Sequence, residues 1–202
     1  MPTSNAEQLA RLRHHVENDV PEAVNQLGEL YRDGEDAFGI VKSYKKAVKI
    51  FKRAVELGNV DAMVSLGKLL IDGNGVKKPD KKKAMQVYSV AADRGFARAQ
   101  YNIACALDRD QRFEEAFRYY CLAAEQNFTR AEFNLGYCYA HGEGTEVDVA
   151  KARHWYARAA AKGHEGAQGY LADIEEIVAE LGIKGAQASL ESFLAASREP
   201  DR

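Results

Sequence analysis

Cysteine, proline and tryptophan are scarce in this chain of 202 residues, at three, four and one. The three cysteines, Cys105, Cys121 and Cys138, are odd in number and include no close pair, which argues against a disulfide framework and suits a reducing compartment. All three fall on expected helices, where small buried hydrophobes are the natural reading. Charge of one sign is also missing. A formal net charge of −2, with 29% of residues charged, leaves no global basic field to draw the chain to nucleic acid or acidic lipid. No stretch approaches the roughly 20 apolar residues of a spanning helix, so no direct membrane insertion is expected. Met1 to His15 lacks the apolar core of a signal peptide, and the expected location is cytoplasmic.

What the chain has instead is internal repetition. One motif returns four times: a helix opening on a small residue, a Leu-Gly-like pair, a turn, then an Ala-x-x-aromatic-aromatic-x-x-Ala-Ala run closed by Gly or Asn. First helices open at Ala23, Ala62, Ala99 and Ala131, with a fifth start at Ala167. The pairs are Leu27-Gly28, Leu66-Gly67, Ile103-Ala104, Leu135-Gly136 and Leu171-Ala172. Second helices carry Ala47, Ala84, Ala116 and Ala152, each followed four residues later by Phe51, Tyr88, Tyr120 or Tyr156 and seven later by another Ala. Those offsets mark one helical face. Gly58, Gly95, Asn127 and Gly163 close the second helices, and Asn is the residue that best replaces Gly in the left-handed conformation such a closure needs.

Successive units are 39, 37, 32 and 36 residues long, and the variation lies in the loop inside each hairpin. Surface loops accept such insertions at little cost. The longest is in unit one and is expected to expose Phe38 beside Gly39. Small residues let paired helices approach, and the aromatic is expected to fill the space between one hairpin and the next. The architecture that follows is all-α, a stack of antiparallel helix-turn-helix repeats in which each unit buries its apolar face against its neighbours.

The organisation read from the register is a capping helix over 1–22, four repeats over 23–61, 62–98, 99–130 and 131–166, and a degenerate fifth repeat with a C-terminal cap over 167–202, all in one elongated domain. Ser4-x-x-Glu7 is a capping box, and His15 to Asp19 aligns with Ala91 to Gly95 as half a repeat. Gly182 is expected to break the fifth unit ahead of a final amphipathic helix bearing Leu190, Phe193 and Leu194.

Leu135-Gly136-x-x-Tyr139-x-x-Gly142-x-Gly144 followed by Lys151-Ala152-x-x-Trp155-Tyr156-x-x-Ala159-Ala160-x-x-Gly163 closely resembles the Sel-one-like repeat, a relative of the tetratricopeptide repeat. Unit two repeats the pattern, while unit three lacks the glycine of the pair. The resemblance implies a right-handed α/α superhelix whose first helices line a concave face, and a role as adaptor or scaffold in assembling complexes. It implies a protein or peptide partner and no enzymatic activity. A cysteine-rich branch of the family has claimed hydrolytic or antibiotic-binding activity, but this chain lacks its regular cysteines. A third reading is a subunit that contributes only rigid spacing.

Candidate chemistry is sparse. Gly73-Asn74-Gly75 and Gly142-Glu143-Gly144 follow no strand and continue into no nucleotide-binding pattern, so they read as helix-ending turns rather than cofactor sites. Cys138-x-x-His141 supplies two metal-ligand types without a second pair, so no metal site is assigned. No catalytic triad or nucleophile motif is brought together by the register. Asn127-Phe128-Thr129 fits a glycosylation pattern, although helix closure by Asn127 accounts for it. Lys77 to Lys83 is the one dense basic run, read as a solvated cluster with a possible targeting role.

One constellation recurs between units three and four. Arg98 and Asn102 on one first helix occupy the same register positions as Arg130 and Asn134 on the next, with Tyr101 and Phe133 beside them. The i,i+4 spacing puts each Arg and Asn on one helix face. In tetratricopeptide domains that grip a peptide's terminal carboxylate, those two position types supply the clamp. The resemblance therefore makes Arg98, Tyr101, Asn102, Arg130, Phe133 and Asn134 the candidate peptide- or anion-binding set. The other units place Glu22/Gln26, Asp61/Ser65 and Gly166/Tyr170 there, so the clamp would be partial.

Overall fold

The computed structural model describes residues 4–198, with side chains described as far as residue 192. The chain is an all-α solenoid of paired helices. It divides into two compact units, Met1–Phe96 and Ala97–Arg202. The first holds α1 (Asn5–Glu17), α2 (Pro21–Asp33), α3 (Tyr44–Glu56), α4 (Val60–Asp72) and α5 (Lys81–Asp93). The second holds α6 (Ala97–Arg109), α7 (Phe113–Glu125), α8 (Thr129–His141), α9 (Val149–Ala161) and α10 (Glu165–Arg198), the last broken at Gly182, where φ is 68° and ψ is 168°. Phe193 and Leu194 lie outside the described side chains.

Each helix from α1 to α9 is 13 residues long, and both ends are set by local chemistry. The backbone N–H groups of Lys46, Lys83 and Lys151 donate to the side chains of Ser43, Asp80 and Asp148, satisfying donors that a helix start leaves without partners. At the matching position before α7 stands Arg112, whose guanidinium instead pairs with Glu115 at 2.7 and 2.6 Å. The turn that follows each second helix requires positive φ, and Gly58, Gly95, Asn127 and Gly163 supply 86°, 80°, 64° and 82°. Asp19, at the same place after the half repeat, adopts 56°. Asn and Asp tolerate this region because their short polar side chains can bond locally.

Close helix approach is written in the Leu-Gly pairs. A Cβ on Gly28 would stand 2.6 Å from the Phe51 ring, and one on Gly136 would stand 2.8 Å from the Tyr156 ring. The ring thus sets the spacing inside its own hairpin, where the sequence pattern suggested the gap between hairpins. Unit three carries Ala104 at this position, and there the Tyr120 hydroxyl donates to Cys105 Sγ at 3.6 Å. The second glycine of the Gly-x-Gly turns has a separate cause. A Cβ on Gly144 would overlap the Phe113 carbonyl, so a side chain there would push the turn off the start of α7.

The first unit is built around Val24, Ala47, Val48, Phe51, Leu66 and Leu69, with a smaller cluster of Leu9, Leu12, Ala23 and Ile40 under the N-terminal helix. Phe38 is not an exposed loop residue: Glu35 and Ile40 exchange backbone hydrogen bonds of 2.8 and 3.0 Å, and the folded-back loop lays Phe38 against that smaller cluster. In the second unit, Val149, Tyr156, Ala167, Ile174 and Ala186 share a core. The helix after Gly182 closes it with Leu190 and with Gln187, whose side chain accepts from Val149 N–H at 2.9 Å and donates to the Val147 carbonyl at 2.6 Å.

Candidate functional site

On α6, Arg98, the pair Tyr101 and Asn102, Cys105 and Asp108 recur at three- and four-residue spacings, and on α8 so do Arg130, the pair Phe133 and Asn134, Tyr137 and His141. Each set is therefore one helix face running the length of the element. Arg98 and Arg130 are exposed near the N-terminal ends; Tyr101, Asn102, Phe133 and Asn134 are half-buried one turn further on. The Arg130 charge reaches Tyr101, although burial dominates and pushes the phenol well above its ordinary pKa.

The two aromatic residues of the set spend much of their surface on packing. Tyr101 lies against Phe128 and Tyr120, at centroid distances of 5.2 and 6.1 Å. Phe133 stacks on His164 at 4.4 Å and meets Tyr156 and Tyr170 at 5.7 Å each. Asn134 on α8 lies near the Tyr120 hydroxyl of α7 and opposes the burial that raises that phenol's pKa.

Beyond Asn134 the same faces open into a pocket of about 380 Å³. Five aromatic rings line it, from Phe113, Tyr120, Phe133, Tyr137 and Tyr170, together with Asn134, Cys138, Asp108 and Glu143. Of the six residues singled out from sequence, Phe133 and Asn134 belong to this lining, whereas Arg98, Tyr101, Asn102 and Arg130 do not. The members not picked out had a signal available. Tyr137 and Asp108 extend the two helix faces by one or two further turns, and Tyr170 stands at the register position of Asn134.

Burial shifts titratable groups of the pocket toward their protonated forms. Partial burial raises the Asp108 carboxyl above the usual range, against the opposing pull of Arg109. Burial is also the main cause of the raised pKa values of Tyr137 and Cys138. A thiol held protonated in this way is neither a nucleophile nor a ready metal ligand at neutral pH. The Cys121 thiol is pushed up to about 11 for the same reason. His141 stacks on Tyr137 at 3.8 Å and places Nδ1 3.0 Å from the Tyr137 carbonyl, a local contact within one helix. Among the described residues no group of three or more His, Cys, Asp or Glu is placed to hold a metal.

A second polar feature had no obvious mark in the sequence. Glu132 on α8 has no exposed surface and is held by Arg158 on α9 at 2.7 Å and by Lys162, the residue that caps the end of α9, at 2.8 Å. Lys162 also donates to the Asn127 carbonyl at 3.1 Å, and Arg158 donates to its side-chain oxygen at 2.8 Å. This ties the closing turn of unit three into the hairpin of unit four. It is a structural lock, and none of its residues belongs to the pocket lining. In the first unit, the basic run from Lys77 to Lys83 is fully exposed where the loop enters α5.

The Sel1 repeat family profile matches residues 21–59, 60–96, 97–128 and 129–164. Over 166 residues the chain is 28% identical to the chitin synthase regulator SKT5 of Saccharomyces cerevisiae, covering 79% of this chain and 24% of that protein. Among solved structures, c5321, a protective antigen of uropathogenic Escherichia coli with an SLR fold, superimposes with a TM-score of 0.79 at 28% identity, covering 96% of this chain and 42% of that one. A Sel1 repeat protein from Oxalobacter formigenes gives 0.71 at 28% identity, over 83% of this chain and 69% of that one. Four consecutive profile matches account for well over half of the residues, and the chain belongs to the Sel1 repeat family.

Proposed function

We propose that this chain is a non-catalytic adaptor that docks an extended segment of a partner protein along the first-helix face of its second unit. Sel1 repeats generally mediate protein–protein interaction, and the similarity to a chitin synthase regulator fits a role in controlling another protein rather than performing chemistry. The observation that carries the location is the pairing of exposed Arg98 and Arg130 at matching positions, with half-buried Asn102 and Asn134 one turn on and a ring-lined pocket further along the same faces. Exposed guanidinium groups beside fixed amides suit an acidic side chain or a terminal carboxylate. Three free thiols and the absence of any helix long and apolar enough to cross a membrane among the described residues are compatible with a cytosolic place of work.

The test is affinity capture from the native cell, followed by quantitative binding of the captured partner's minimal segment. Charge-assisted hydrogen bonds contribute about 1.5–3 kcal/mol each. Arg98→Ala combined with Arg130→Ala should therefore weaken binding at least tenfold, about 1.4 kcal/mol, with the helical signal and melting unchanged. Raised salt should weaken it too. A confirmed partner that binds the double variant as tightly as the parent would place the contact elsewhere, with the run from Lys77 to Lys83 as the next surface to mutate.

A further inference from the structure

The pocket on the second unit calls for an occupant of its own chemistry. Among the described residues no Lys, Arg or His lines it, while Asp108 and Glu143 both do. Its remaining surface is mostly aromatic, and the negative face of a π-system attracts cations as carboxylates do. An anionic group would meet two carboxylates here, so the clamp chemistry suggested for Arg98 and Arg130 does not extend into this pocket.

A buried phenol lies next to the pocket wall. Tyr156 has no exposed surface, and its hydroxyl oxygen has no hydrogen-bond partner. Tyr156 is not part of the pocket lining; its ring stacks on that of Tyr170, which is, at 5.3 Å, so the hydroxyl is closed off behind the wall of the pocket.

We infer that this pocket receives an arginine side chain of the docked partner, its guanidinium stacking among Tyr137, Phe133 and Tyr170 and donating to Asp108 and Glu143. A guanidinium fits better than an ammonium because it is planar, stacks on rings, sheds its hydration more readily and carries five donors for several acceptors. Asp108, partly desolvated and disfavoured as an anion when the pocket is empty, gains a compensating charge on binding. The inference rests on the reading that this face docks a protein segment, and it makes that segment bipolar. An acidic group would sit near Arg98 and Arg130, with an arginine further along toward the C-terminal ends of α6 and α8.

The experiment uses the full chain and three small probes: Nα-acetyl-arginine methylamide, its neutral isostere built on citrulline, and the lysine equivalent. Titration by two-dimensional amide NMR should show the arginine probe shifting resonances of Asp108, Asn134 and Glu143, with citrulline and lysine probes at least about tenfold weaker. Asp108→Asn with Glu143→Gln, which preserves shape, should lower arginine binding by a similar factor. Equal binding of citrulline or lysine, or undiminished binding of arginine to that variant, overturns the assignment. The probe comparison needs no mutant, so a variant that fails to fold leaves the test intact. If a captured partner depends on Arg98 and Arg130 but is indifferent to Asp108→Asn with Glu143→Gln, the docking face stands and the arginine pocket falls. If the arginine probe binds as stated but no partner depends on Arg98 and Arg130, the pocket stands and the docking reading falls.

Discussion

Replacing Gly28 with Ala should destabilise the protein, although the same exchange in an open helix position is favourable. An added Cβ would lie 2.6, 2.7 and 3.1 Å from three atoms of the Phe51 ring. Non-bonded carbons settle at about 3.5–4.0 Å, so the overlap approaches 1 Å at two of them. Phe51 is fully buried between Val24, Ala47, Ala54 and Leu66 and has no free side toward which to move. Overpacking of this kind costs about 1–3 kcal/mol, toward the upper end where several atoms collide. Against it stands the helix-propensity gain of Ala over Gly, about 1 kcal/mol. The net expectation is a loss of about 1–2 kcal/mol. Gly169→Ala is the matched control, because an added Cβ there meets nothing within 4 Å; it should stabilise by up to about 1 kcal/mol. Urea denaturation followed by circular dichroism separates the two, since their midpoints should move in opposite directions at unchanged slope. A double-mutant cycle with Phe51→Leu adds a sharper criterion: the smaller side chain should recover part of the Gly28→Ala loss, giving a coupling of about 1 kcal/mol. If Gly28→Ala stabilises as much as Gly169→Ala, the ring does not set the helix spacing and the packing argument for the Leu-Gly pair fails.

Arg158→Ala with Lys162→Ala should cost about 3–5 kcal/mol by leaving the buried Glu132 carboxylate without a cation, and Glu132→Gln in the same background should recover much of it; a melting temperature equal to the parent's would remove the lock. Gln187→Ala should cost about 1–3 kcal/mol by orphaning the Val149 N–H at the start of α9, and deletion of residues 182–202 should also uncover Ile174 and promote association, detectable as light scattering on heating. Unchanged melting in both would show that the helix beyond Gly182 does not close the second unit.

The sequence by itself determined every feature that depends on local repetition. Helices, closing turns and close contacts are encoded in short windows, because the 3.6-residue period, the steric bar to positive φ and the need for a small residue under a ring all act within one hairpin. That is why Asn127 and Asp19 could be aligned with the closing glycines and why both adopt positive φ. Arg112 escaped notice for a related reason: it replaces a capping side chain with an ion pair to Glu115, and a cap substitute of that kind leaves no register signature. Tertiary structure decided how side chains from different hairpins meet. No local pattern foretold that Phe38 would fold back beneath α1, or that Glu132 would be buried with Arg158 and Lys162 of the following helix and its end. The pocket is the clearest case. Its residues run from Asp108 to Tyr170 on four helices and one turn, and no periodicity along the chain fixes the angle at which successive hairpins stack. Sequence could therefore put Phe133 and Asn134 on the right face, but only the packing of α6, α7, α8 and α10 set Asp108 and Glu143 across from the rings and left the Tyr156 hydroxyl without a partner.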